Sequence, residues 1–196
     1  MRPPVPPVFP AALYPRLQAL LPLSEGDFAA LRAAMTPRTL TRNELLLREG
    51  EVCRTVAYIE YGSVRYFYAV AGEERTGQFF FEGEWYTDYD SFLDQKPTTQ
   101  SIQALEATRV WLLPRTALYQ LYDERPMFER FGRLMAEKAY RGSRARSAQL
   151  LNQTPAERYE QLVRERPHVV QRVSQRLIAS YLGIKPESLS RIRGRR

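Results

Sequence analysis

Residues 175–193 read Gln-Arg-Leu-Ile-Ala-Ser-Tyr-Leu-Gly-Ile-Lys-Pro-Glu-Ser-Leu-Ser-Arg-Ile-Arg. Ile178, Tyr181 and Leu182 give one apolar face to a helix that Ser174 can cap. Ala179 is small where a second helix has to come close. Gly183 suits the left-handed conformation that closes a helix in a tight turn, and Ile184 then turns back toward the core. Pro186 opens a second helix, whose Leu189 and Ile192 lie three apart and bury against the first. These spacings are those of a helix-turn-helix. An ordinary αα-hairpin shares the glycine turn, so the exposed side decides between them. Pro186, Glu187, Ser188 and Arg191 face outward, with Arg193, Arg195 and Arg196 behind. Short polar and charged side chains at a helix N-terminus suit base edges and phosphates.

The charge distribution agrees. Residues 1–137 carry 15 Lys+Arg against 18 Asp+Glu, whereas residues 138–196 carry 14 against 4. An acidic-to-neutral body with a basic end is the footprint of a module that meets phosphate. The hydrophobic fraction of 44% supports a packed core, and no run approaches the roughly 18 apolar residues of a bilayer span. The Pro-rich start does not read as a secretion signal, so the expected compartment is the cytoplasm, with no membrane partner. One cysteine, Cys53, excludes an intrachain disulfide or a thiolate cluster; no metal or cofactor is expected.

Upstream, two helices fit residues 11–21 and the stretch after Ser24, ending at Pro37. Residues 38–113 then change to short β-branched and aromatic runs at 45–47, 56–59, 64–70, 78–81 and 110–113. Glycine-centred turns separate them, the pattern of a sandwich or roll. Helix resumes at residues 115–122 and again after Pro126, through a long run to about Leu151. Phe128, Phe131, Met135 and Ala139 share one face of that run, which fits a dimer seam or a spine between domains; a seam weakens in the polar half from Arg141, and a helix packed within its own chain is the alternative. Thr154-Pro155-Ala156-Glu157 is a capping box with proline at the first helical position. The predicted class is therefore α+β, with a β-roll sensor unit and dimerisation helix (about 126–151) over residues 1–152. A helix-turn-helix unit covers residues 153–196.

With these residues in place, the chain resembles the Crp/Fnr (catabolite activator protein) superfamily of bacterial regulators over nearly its whole length. The resemblance rests on the Gly-turn rhythm of the roll, notably Tyr61-Gly62-Ser63-Val64, on the long helix, and on the ending from Ile178. That ending is similar to short members found in Bacteroidetes-type bacteria. The resemblance implies a cyclic-nucleotide-binding-like roll, a homodimer, double-stranded DNA as partner, an unidentified small-molecule effector, and RNA polymerase as a further partner. The candidate DNA-contacting residues are Ser174, Arg176, Lys185, Pro186, Glu187, Ser188, Arg191, Arg193 and Arg195. By the motif match, Glu187 and Arg191 fall where the family contacts bases and Ser188 where it contacts phosphate.

Three departures accompany it. Members that bind cyclic AMP grip its phosphate with an Arg-Ser or Arg-Thr pair. Here Asp88 and Thr99 match the acidic and hydroxyl positions, while Thr98 stands where the arginine belongs. A buried phosphate there would lack its counter-charge, and Asp90 and Asp94 lie close by. Lys185 replaces the hydroxyl residue that caps the second helix, and the sequence after Ile192 is too short for a full β-wing. Two other readings compete with this one. A cupin-like metalloenzyme needs several histidines, whereas His168 stands alone and outside the roll. A roll that binds a ligand or partner without reading DNA is the alternative; sequence preference in a DNA titration separates the two.

Overall fold

The computed structural model describes residues 8–194. Helix α1 (Leu13–Gln18) is shorter than the predicted 11–21, and buries Leu13 and Leu17. Helix α2 (Glu25–Ala34) begins at Ser24, whose hydroxyl accepts from the Asp27 amide at 3.1 Å while the Asp27 carboxylate accepts from the Ser24 amide at 3.1 Å. Pro37 does not simply end the helical pattern. It sits inside strand β1 (Thr36–Leu40), opposite Trp111, at the end of a sheet where a missing N–H is tolerated.

Two four-stranded antiparallel sheets follow. One has the order β1-β8-β3-β6, with β3 at Thr55–Tyr61, β6 at Trp85–Tyr86 and β8 at Thr108–Pro114. The other has the order β2-β7-β4-β5, with β2 at Leu45–Leu47, β4 at Val64–Val70, β5 at Glu73–Phe80 and β7 at Ser101–Ala104. Strands β4 and β5 form a hairpin closed by Ala71-Gly72, both at positive φ (52° and 81°), the backbone that matches strand twist. At the Tyr61–Ser63 corner, Gly62 has φ +87°, and a Cβ there would lie 2.4 Å from Thr108 Oγ1 and 2.7 Å from the Ala107 carbonyl. Helix α3 (Tyr89–Asp94) leads from β6 toward β7.

Behind the sheets run α4 (Arg115–Glu124) and α5 (Met127–Asn152), the latter 26 residues long. Pro126 stands at its N-cap rather than at the first helical position. The core joins both sheets to the helices through residues such as Ile59, Val64, Val110, Leu113 and Phe128. No described helix is long and apolar enough to cross a membrane.

Gln153 is extended, and the Thr154 box then opens α6 (Pro155–Glu165), with both reciprocal hydrogen bonds present. Pro167 ends α6 and also opens α7 (Pro167–Arg172), which sequence reading missed. Helices α8 (Gln175–Leu182) and α9 (Pro186–Gly194) are the last elements of the described residues. A second core gathers Tyr159, Leu162, Val169, Ile178, Leu182 and Leu189, and it takes in Phe79 and Phe81 from the roll.

Candidate functional site

The α8–α9 pair has the geometry its sequence predicts. Ile178, Ala179, Tyr181 and Leu182 are buried on one face of α8. Gly183 adopts φ 71°, ψ 32°, and the Ile184 amide reaches back to the Ala179 carbonyl at 3.0 Å, closing a left-handed cap. Leu189 is fully buried and Ile192 half-buried, so both anchor α9 on α8. Ser174 occupies the N-cap position, but its side chain makes no capping hydrogen bond. Lys185 precedes α9 and offers only its carbonyl, to the Ser188 amide at 3.0 Å and the Leu189 amide at 3.2 Å.

The structure leaves Ser174, Arg176, Lys185, Pro186, Glu187, Arg191 and Arg193 exposed, with Ser188 half-buried. Arg191 rests its guanidinium 3.4 Å from Ser188 Oγ. Arg195 lies outside the described residues. The front of α9 is therefore a convex surface of one acid, two small polar groups and several cations, held by an apolar back.

This unit is tied to the roll by polar contacts that sequence reading did not foresee. Ser180 on α8 donates to the Glu74 carbonyl at 2.8 Å and accepts from the Thr76 amide at 2.9 Å, both on β5. Arg172 bridges Glu82 (2.7 Å) and Glu106 (2.6 Å); this hydrogen bonding holds the Glu82 carboxyl below its usual range. Arg166 donates to the Phe79 carbonyl at 2.8 Å. The carbonyls left open at the end of α8 go to two further arginines. Arg146 of α5 donates to Tyr181 O and stacks 3.8 Å over its ring, and Arg158 donates to Leu182 O at 2.8 Å. Partners 24 to 106 residues apart leave no local sequence signal for these contacts.

Between the roll and α5 lies a cavity of about 670 Å³. Asp88 lines it and is buried, and it accepts a hydrogen bond from the equally buried Thr98 hydroxyl. Thr98 also accepts from the Gln100 amide at 3.1 Å. Two of the three predicted effector residues thus come together, but they satisfy each other. Thr99 is exposed and does not line the cavity; it lies in the bend before β7, between buried Thr98 and Gln100. Gln100 was missed: its Nε2 donates to the Tyr86 hydroxyl at 2.9 Å, while its Oε1 is buried without a partner.

The predicted dimer stripe on α5 needs correction. Phe128 and Phe131 are buried in their own chain, Phe131 packing edge-on against Trp85 at 5.2 Å. They are core residues, since the first turns of α5 close the open side of the roll. Met135 is half-buried and Ala139 exposed, and both line the cavity. The large exposed apolar residues of the helix lie in its second half: Tyr140, Leu150 and Leu151.

Comparison with known proteins is consistent with this geometry. Residues 37–125 match the family model described as cyclic nucleotide-binding domain. FixK2 of Bradyrhizobium japonicum superposes with a TM-score of 0.74 at 21% identity, over 82% of this chain and 83% of that one. The c-di-GMP-responsive global regulator CLP of Xanthomonas campestris gives 0.71 at 16% identity, over 88% and 91%. A Crp/Fnr-family protein of Eubacterium rectale gives 0.69 at 13% identity, over 87% and 82%. No curated protein sequence matched the chain. Residues 37–125 are therefore similar to a cyclic nucleotide-binding domain, and the chain has, over most of its length, the fold of the Crp/Fnr regulators.

Proposed function

We propose that the chain is a sequence-specific, DNA-binding transcriptional regulator of the Crp/Fnr type, acting in the cytoplasm as a homodimer. The carrying observation is α9: an exposed front with Lys185, Glu187, Arg191 and Arg193, anchored through buried Leu189 on a Gly183-capped α8. Such a helix can lay its N-terminal residues in a major groove while the cations meet phosphate. The test is fluorescence anisotropy on genomic fragments at two salt concentrations. Some fragments should bind far more tightly than others, with affinity falling as salt rises. Uniform weak binding, or none, overturns the reading and favours a roll that binds a ligand or partner only.

Dimerisation is assigned to the second half of α5. Ala136, Tyr140, Ser143, Ser147 and Leu150 recur at intervals of four, three, four and three, and all are exposed. Two recognition helices related by that axis would meet half-sites about one DNA turn apart, roughly 34 Å. Sedimentation as a monomer at micromolar concentration, with and without DNA, would count decisively against it.

Cyclic AMP is not its effector in this reading. Asp88 lines the cavity with its carboxylate engaged by the Thr98 hydroxyl, and the roll loop carries no arginine at Thr98 to grip a cyclic phosphate. Calorimetry should detect no micromolar binding of cyclic AMP or cyclic GMP; a micromolar constant for either refutes this.

A further inference from the structure

The helix-turn-helix unit rests on the roll around one ring, Phe81, which follows β5 and belongs to the second core. His168, the second residue of α7 and the only histidine of the chain, stands against it edge to face, the ring centroids 4.6 Å apart at 89°. Two guanidiniums share the same ring: Arg172 lies 5.0 Å and Arg166 5.8 Å from its centroid. The acids nearby are already engaged. Glu82 and Glu106 hold Arg172, while Glu84 accepts from the Phe81 amide at 2.8 Å and lies 3.8 Å from Arg166. Arg16 of α1 also reaches this turn, at the Glu82 carbonyl, 3.5 Å away. Among the described residues the half-buried His168 imidazole has no hydrogen bond or ion pair; its contact is the Phe81 ring.

A proton on that imidazole is therefore disfavoured from several directions. The imidazolium would give up water to the packed contact, gain no acid of its own, and join Arg166 and Arg172 around one ring. Burial, Arg166 and Arg172 together hold the imidazole below its ordinary value of 6.5, against the opposing pull of Glu84 and Glu82. We propose that His168 is a proton-operated release for the helix-turn-helix unit: neutral, it packs the unit onto Phe81; protonated, it loosens the unit from the roll. The sign follows from linkage. Docking is favoured above the ordinary value of 6.5, and that contribution is lost as pH falls through the depressed one. Glu82, held below 4.5, keeps its charge over this range, so Arg172 stays paired while His168 changes. A histidine suits the task because its titration lies in the physiological range. The release itself needs no DNA; only its effect on transcription rests on the DNA-reading function proposed above.

The experiment is proton NMR and hydrogen exchange on the full chain. The single imidazole should titrate below 6.5. The Thr76 amide, which donates to Ser180 Oγ across the contact at 2.9 Å, reports docking. Its protection factor, from which the intrinsic pH dependence of exchange is removed, should fall about threefold or more between about pH 7.5 and about pH 5.5. His168→Phe keeps a ring on Phe81 and His168→Gln keeps a neutral polar group; in both, protection should stay constant over that range. Circular dichroism verifies that each variant is folded. A titration at or above the ordinary value, a parent chain whose protection does not fall, or a fall that persists in either folded variant overturns the proposal. If the release operates but no DNA sequence is preferred, the regulator reading alone fails.

Discussion

Arg191 and two glycines test the molecule at the scale of single residues. Arg191 is exposed on the front of α9 and, among the described residues, hydrogen-bonds Ser188 alone, so it can fork onto the N7 and O6 of a guanine at little internal cost. Arg191→Ala should lose about 1–3 kcal/mol of DNA affinity and relax preference at one base pair per half-site, while leaving unfolding unchanged. A competition titration with singly substituted sites reads this out, and an unaltered preference removes Arg191 from base recognition. The glycines separate backbone strain from steric conflict. Gly183→Ala meets no atom closer than 3.9 Å, so only the left-handed backbone opposes it, at about 1–2 kcal/mol. Gly62→Ala adds overlap with the Thr108 side chain and the Ala107 carbonyl, and should lower the urea midpoint further than Gly183→Ala does. Equal midpoints would mean that the Gly62 corner relaxes freely. Gly183 was legible because its neighbours within five residues define its turn. The Asp88–Thr98 and Gln100–Tyr86 pairs were not, since residues 98–100 form a bend whose facing follows no sequence period and whose partners lie 10 and 14 residues away.

Lys185 tests the next scale, the helix as a unit. A lysine at an N-cap cannot accept from the free amides of α9, so a short hydroxyl residue there should add a capping hydrogen bond. Lys185→Ser should therefore raise stability by about 1 kcal/mol. If Lys185 meets phosphate, the same change should weaken all DNA sequences alike and reduce the log–log salt slope by roughly 0.9. Unfolding curves and salt-dependent titrations of one variant thus report opposite signs, and a variant that is no more stable refutes the capping argument. Elements with local signals were readable: the Ser24 and Thr154 caps and the β4 run all fall where periodicity and turn residues place them. Strands β1, β6 and β7 were not. β1 is mostly exposed and contains Pro37, β6 has only two residues, and β7 has four without alternation in burial. Helix α7 was lost because Pro167 looks the same as a terminator and as a first residue. Phe128 and Phe131 left the dimer stripe for a related reason: helical spacing marks an apolar face without saying whether its partner is the same chain or another, and both side chains are buried in their own chain.

For the whole molecule, the decisive feature is how the helix-turn-helix unit is held against the roll. Glu82 accepts from Arg172 and also from the Gly62 amide at 2.9 Å, and its carboxyl is held below the ordinary value of 4.5, chiefly by Arg172. A depressed carboxylate stabilises the docked state at pH above that ordinary value, and the contribution fades as pH falls through the depressed one. Because the pair is partly exposed, the effect is small, about 1 kcal/mol or less. Thermal unfolding compared at about pH 6 and about pH 3 should show a smaller acid-induced loss in Glu82→Gln than in the parent chain. An identical loss in both would place the acid sensitivity elsewhere.

The contact between Ser180 and β5 has a consequence for what happens when that docking is released. β5 is the outermost strand of its sheet, and one hydroxyl supplies both the donor and the acceptor that Glu74 O and Thr76 N–H would otherwise seek from a neighbouring chain. Swinging the reader away would bare an unpaired strand edge, a template for self-association. The rotation that frees α8 therefore carries a solubility hazard, and a second subunit or a bound DNA has to arrive before another β5 does. Ser180→Ala, which leaves the apolar packing of α8 in place, should speed exchange of the Thr76 amide and raise light scattering with protein concentration. A variant as protected and as monodisperse as the parent would show that some other group guards this edge.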